Sequence, residues 1–158
     1  MNYSQILKFD AANGLGVRST IFVCGCTHQC PNCFNKELWD FKSGKKFDDE
    51  AKKTLFEYLS NPHITGLSIL GGEPMQQGQD MLDLITEYRA AFPEKDLWLW
   101  TGYKREELND LQQKIFNMCD YVVDGRFVEA QKCFHKFKGS DNQRIWKRNN
   151  HGEFEVIG

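Results

Sequence analysis

The stretch VRSTIFVCGCTHQCPNC, Val17 to Cys33, decides how the chain is read. Its opening run, Val17 to Val23, is β-branched and apolar, which marks a strand. That strand runs directly into a loop carrying Cys24, Cys26, Cys30 and Cys33. Downstream, a turn at Ser43 and Gly44 leads to Asp48, which can cap a helix whose Ala51, Leu55, Tyr58 and Leu59 share one face. Asn61 and Pro62 stop it. The short apolar run GLSIL, Gly66 to Leu70, then ends in Gly71, Gly72, Glu73 and Pro74, as a buried strand ends in a tight loop.

The same unit repeats. A helix predicted over about Asp80 to Phe92 carries Met81, Leu84, Ile85 and Tyr88 at helical spacing and is closed by Pro93. Leu97 to Trp100 runs into Thr101, Gly102 and Tyr103, and a helix with Leu108, Leu111 and Ile115 follows. Tyr121 to Val123 runs into Asp124, Gly125 and Arg126. Strands separated by helices of this length imply crossover connections and a parallel sheet. The predicted fold is α/β, an open or partial (β/α) barrel with a mainly parallel sheet, because the strands are too few to close a full barrel. In such folds chemistry gathers at the carboxyl ends of strands, so the cysteine loop, GGEP, WTGY and DGRF should share one rim.

At 158 residues the chain fits one domain, residues 1–158. Its 20 basic and 22 acidic residues leave no global footprint for nucleic acid or an anionic membrane. No apolar run approaches the ~20 residues that span a bilayer, and MNYSQILKFD lacks the layout of a signal peptide, so a cytoplasmic protein is expected. A reducing compartment makes clustered thiols metal ligands or buried groups rather than disulfides.

Cys26, Cys30 and Cys33 form the spacing CxxxCxxC. Clusters that only carry electrons are usually closed by four cysteines, whereas three leave one iron open to a small molecule. Cys24 complicates the count, because strand alternation predicts that it points the same way as Cys26. A four-ligand zinc or rubredoxin-like site using Cys24 or His28 is the alternative, although such sites usually pair two separate CxxC hairpins and there is no second hairpin here.

CxxxCxxC after a first strand, with GGEP after the next, resembles the radical S-adenosylmethionine superfamily. NGLGVRSTIFVCGCTHQCPNCFN, LGGEP, LWLWTGY, VDGRF and KGSDNQR, in that order, resemble the activating proteins of the anaerobic ribonucleoside-triphosphate reductase over nearly the whole chain. The resemblance implies that Cys26, Cys30 and Cys33 ligate one [4Fe–4S] cluster whose fourth iron binds the amino and carboxylate groups of S-adenosylmethionine. It implies cofactor contacts at Asn32, Cys33 and Phe34, and at Gly71, Gly72 and Glu73, the loop that meets the methionine end. Glycine there lets backbone carbonyls come close enough to accept from an ammonium group. The implied reaction is one-electron cleavage of the sulfonium to methionine and a 5′-deoxyadenosyl radical. That radical then takes a hydrogen from a backbone glycine of the large reductase subunit. A low-potential electron donor such as a flavodoxin and a homodimer are implied as partners.

The chain departs from the pattern in three places: Asn32 stands where close relatives have Gly, Cys24 where they often have Ser, and Leu15 where they often have Pro. Two other functions compete: activation of a different glycyl-radical enzyme such as pyruvate formate-lyase, whose activators are generally longer, and a zinc-stabilised module without catalysis. His28 is expected to face solvent or support a ligand rather than bind iron. Trp98 and Trp100 are expected to pack, and Cys119 and Cys133 to be ordinary thiols. Asp124 and Arg126 divide evenly between a solvated turn and the rim. The basic, aromatic segment from Lys132 to Arg148 is expected to pack its aromatics on the sheet edge or to dock the reductase, with nucleic acid disfavoured.

Overall fold

A computed structural model describes residues 1–158 and sets two strands ahead of the cysteine loop, β1 (Asn2–Asp10) and β2 (Arg18–Cys24). After them come β3 (Lys45–Lys46), α1 (Asp49–Leu59), β4 (Gly66–Gly71), α2 (Gln79–Ala91), β5 (Asp96–Trp100), α3 (Asp110–Asn117), β6 (Tyr121–Asp124), β7 (Arg144–Arg148) and β8 (Phe154–Val156). All eight strands join one sheet in the order β3-β1-β2-β4-β5-β6-β7-β8.

The alternation of strand and helix predicted from Val17 to Arg126 is present. Asp48 caps α1, its carboxylate accepting from the Ala51 N–H at 2.9 Å. β2, β4, β5 and β6 pair in parallel. The expectation of a mainly parallel sheet needs correction, because four of the seven pairings are antiparallel: β1 with β2 and β3, β6 with β7, and β7 with β8. The physical reason is the connections. The turn between β1 and β2 is too short for a crossover, and no α-helix intervenes between β6 and β7 or between β7 and β8. The sheet is mixed and open, with β3 and β8 as its edges.

All three helices cover one face. Ile21, Val23, Leu67, Ile69, Leu97, Leu99 and Val122 alternate onto that face and pack with Leu55 and Leu59 of α1, Leu84 and Ile85 of α2, and Ile115 and Phe116 of α3. The opposite face is more polar and aromatic. It carries buried Arg18, Thr20 and Ser68, and a cluster of Trp98, Val123 and Ile145 against which Trp100, Tyr121 and Phe137 pack. Trp98 stacks on Tyr121 at 4.2 Å and on Trp100 at 5.5 Å between ring centres, so both tryptophans do pack as expected.

The segment from Lys132 to Arg148 divides in two. Its second part is β7, whose cations are engaged: Arg144 pairs with buried Asp124 at 2.6 Å, and Arg148 donates to the Cys119 carbonyl at 2.7 Å. Asp124 is therefore a strut rather than a solvated turn residue. No helix is long and apolar enough to cross a membrane.

Candidate functional site

Parallel pairing brings the ends of β2, β4, β5 and β6 to one rim, with Val23 beside Gly71 and Trp100 beside Val123. The cysteine loop leaves β2 at Gly25, whose φ of +110° is a left-handed turn open to glycine. That turn breaks strand alternation, and it separates Cys24 from Cys26. Cys24 is buried, with its sulfur against the turn at Gly44. The expectation that the two thiols point together is corrected for this reason.

A cavity of about 300 Å³ opens at the rim. Cys26, Cys30 and Cys33 line it together with Phe34, Gly71, Gly72 and Glu73. Asn32 does not line it; this residue is exposed and holds a φ of +56°, a conformation that Asn adopts more readily than most residues. Phe34 stays largely exposed at the mouth, packed on Phe127 at 4.8 Å between ring centres. No three His, Cys, Asp or Glu side chains converge as closely as one metal ion needs. The three thiols are instead set around a cavity, an arrangement that could seat a body larger than a single ion.

Burial pushes the Cys26 thiol up to about 11, and the nearby Glu73 carboxylate and the other two cysteines act in the same direction. Burial also raises the Cys30 thiol. Both thiols are therefore protonated near neutral pH in the free protein, and any metal they take up must displace protons.

Glu73 is 1% exposed and fully engaged. One carboxylate oxygen accepts from the Gly102 N–H at 2.6 Å and faces His28 Nε2 at 2.7 Å. The other accepts from the Met75 N–H and the Thr101 hydroxyl, both at 2.8 Å. Its side chain has no lone pair to spare for a ligand, and any contact at this position falls to the backbone. His28 is neither solvent-facing nor free. Its ring stands edge-on to Tyr103 at 4.7 Å, in a slot that exists because residue 102 is glycine: a Cβ there would lie 2.6 Å from the imidazole. One buried carboxylate thus ties the cysteine loop to the loops after β4 and β5.

Two glutamines that drew no attention in the sequence complete the tie. The Gln76 side chain accepts from the Thr27 N–H at 2.9 Å and donates to the Thr27 hydroxyl and to Tyr103. Gln77 donates to the carbonyls of Cys24, Gly25 and Glu73. Nothing in local spacing marks them, since all their partners but Glu73 lie 27 to 53 residues away in sequence. Arg126 is at the rim, paired with Glu107 at 3.0 Å.

The description "4Fe-4S single cluster domain" belongs to a family model that matches residues 12–146. The anaerobic ribonucleoside-triphosphate reductase-activating protein of Enterobacteria phage T4 is 38% identical over 148 residues, covering 92% of this chain and 94% of that protein. Its counterpart in Escherichia coli K12 is 40% identical over 150 residues, covering 92% and 97%. The one in Haemophilus influenzae is 37% identical over 151 residues, covering 93% and 92%.

Proposed function

The chain belongs to the 4Fe-4S single cluster domain family and to the anaerobic ribonucleoside-triphosphate reductase-activating proteins, and from that membership we propose that Cys26, Cys30 and Cys33 hold one [4Fe–4S] cluster with an iron left free for S-adenosylmethionine. The observation that carries this reading is that these three thiols, and not Cys24, line one cavity with the GGEP loop. When bound, the cluster and S-adenosylmethionine supply one-electron cleavage of the sulfonium, giving methionine and a 5′-deoxyadenosyl radical that takes hydrogen from a glycine of the anaerobic reductase and leaves a glycyl radical there.

The remaining work belongs to this chain's own residues. The backbone carbonyls of the GGEP loop would accept from the methionine ammonium, and Glu73 ties that loop to the cysteine loop through His28, Thr101 and Gly102. Phe34 forms an apolar wall at the mouth, which limits water access. Asn32 is assigned to the turn between Cys30 and Cys33, which its left-handed backbone favours, rather than to a cofactor contact through its exposed side chain. The parallel strands with helices on one face form a partial (β/α) barrel, one domain over residues 1–158, with the cavity on the inner side. A low-potential donor such as a flavodoxin, a homodimer and a cytoplasmic location complete the reading.

Anaerobic reconstitution with iron and sulfide, followed by dithionite, S-adenosylmethionine and the large reductase subunit, tests it by electron paramagnetic resonance. A glycyl-radical doublet on the reductase and stoichiometric 5′-deoxyadenosine are expected. A doublet on pyruvate formate-lyase and none on the reductase would redirect the proposal to that substrate, and a colourless protein holding one zinc would end it.

A further inference from the structure

Residues 131–141, between β6 and β7, form a stapled hairpin at the cavity. Lys132 bridges to Ser140, the Cys133 N–H donates to the Gly139 carbonyl at 3.1 Å, and the Asp141 N–H donates to the Gln131 carbonyl at 2.8 Å. Gln143 closes the base, its side-chain oxygen accepting from the Gly139 N–H at 2.7 Å. One arm is fastened to the rim. Lys136, Phe137, Lys138 and Gly139 line the cavity, Phe137 packs on Trp98 at 5.0 Å between ring centres, and the Phe137 carbonyl accepts from the Trp100 indole at 2.8 Å. The hairpin is therefore a fixed lip of the site.

The tip is unlike the arm. Phe134 is fully exposed and does not line the cavity. Phe34, also exposed, lies beside the hairpin: the Lys132 ammonium stands over its ring at 5.6 Å, and a Cβ at Gly139 would lie 3.1 Å from it. From Ala130 to Ser140 the chain carries Lys132, His135, Lys136 and Lys138 and no carboxylate. None of these lysines takes part in an ion pair. A single exposed Phe is ordinary on a protein surface. Two exposed aromatics framed by uncompensated cations, on a rigid element beside a site, have the make-up of a protein–protein contact, with its aromatic anchors and charged rim.

Resting on the reductase reading above, we propose that this hairpin docks the large reductase subunit, with Phe134 as the apolar anchor and Lys132 and Lys136 facing carboxylates beside the target glycine. Hydrogen passes only between atoms nearly in contact, so that glycine must enter the cavity and the polypeptide on either side of it must cross the mouth. The hairpin forms one side of that mouth, and its cations favour an acidic segment and steer its approach. A second copy of this chain fits less well, because a two-fold contact through the hairpin would set the same lysines against each other.

The test compares reconstituted wild-type protein with Phe134→Ala and Lys132→Glu, neither of which removes a cavity-lining side chain. Melting temperature, iron content and 5′-deoxyadenosine formed without the reductase should match wild type in both. Affinity for the large reductase subunit, measured anaerobically at low and high salt, should fall about tenfold in Phe134→Ala at either salt concentration. In Lys132→Glu it should fall about fivefold at low salt and much less at high salt. The reductase concentration giving half-maximal glycyl radical should rise by the same factors, with the saturating rate unchanged. Wild-type affinity in both variants overturns the proposal. So does a loss confined to 5′-deoxyadenosine formation, which would assign the hairpin to the cofactor, and so does loss of self-association with reductase affinity intact, which would assign it to a second copy. Normal activation by wild type and by both variants overturns the docking surface alone, whereas a wild-type protein that neither binds nor activates the reductase overturns the proposed function with it.

Discussion

Alanine in place of Cys26, Cys30 or Cys33 is expected to abolish iron uptake and S-adenosylmethionine cleavage while leaving the fold in place. The three residues sit in a loop, are only partly buried and take no part in the apolar core, so each truncation should change unfolding stability by about 1 kcal/mol or less. Loss of one ligand leaves two thiols for a cluster that needs at least three protein attachments, and the remaining 5′-deoxyadenosine formation should be at background. Cys24→Ala is the internal control. Its sulfur faces the Gly44 turn, away from the cavity, so iron per chain should stay at the wild-type level even if the protein melts a few degrees lower. Iron analysis and visible absorbance of anaerobically reconstituted variants decide the matter; full iron in Cys30→Ala, or none in Cys24→Ala, would reverse the assignment.

Glu73→Gln should produce the largest loss of stability of any single-atom change at the site. The carboxylate accepts four hydrogen bonds in a place with no water access. An amide has one acceptor oxygen, and its NH₂ must face a backbone N–H whichever way it is turned, either that of Gly102 or that of Met75. The Thr101 hydroxyl can rotate and the His28 ring can change tautomer, but a main-chain N–H cannot adapt. One buried donor left opposed, with charge-assisted bonds lost besides, should cost about 3 kcal/mol. For a chain of this size that lowers the unfolding midpoint by roughly 10 °C. The cysteine loop should also loosen, because the His28 anchor is weakened. Amide hydrogen exchange at Thr27 and His28 should rise in the variant while that of the helix-covered face of β4 stays slow, and an unchanged melting temperature would remove Glu73 from its role as a strut.

Much of this was legible in the order of residues. The strand from Val17 to Val23, the GGEP loop and the two later strand ends stand where punctuation by glycine and proline puts them, because buried parallel strands are short apolar runs with abrupt ends. The flanking strands were not legible. β1 breaks its own alternation with irregularities between Tyr3 and Gln5 and between Leu7 and Asp10, so no period of two survives over Asn2–Asp10. β7 reads as a basic segment, RIWKR, and its charges look solvent-directed until Asp124 and the Cys119 carbonyl are brought alongside.

The site divides in the same way. Three cysteines at loop spacing advertise themselves, since their chemistry depends on near neighbours in sequence. What holds the loop does not: Glu73 meets His28, Thr101 and Gly102 only after β2, β4 and β5 have paired, and the need for glycine at position 102 comes from the imidazole lodged beside it. Alternation misplaced Cys24 because the left-handed turn at Gly25 is invisible to a periodic reading. The left-handed backbone at Asn32 is likewise invisible to a periodic reading.

In the proposed site this polypeptide supplies three ligands and leaves one iron for the cofactor. Electron–nuclear double resonance on the reduced, reconstituted protein, with S-adenosylmethionine carrying ¹⁵N in its amino group, measures that directly. A ¹⁵N coupling should appear on addition of the labelled cofactor and be absent from Cys33→Ala. No ¹⁵N coupling, together with a persistent coupling from a fourth side chain such as the His28 imidazole, would contradict it.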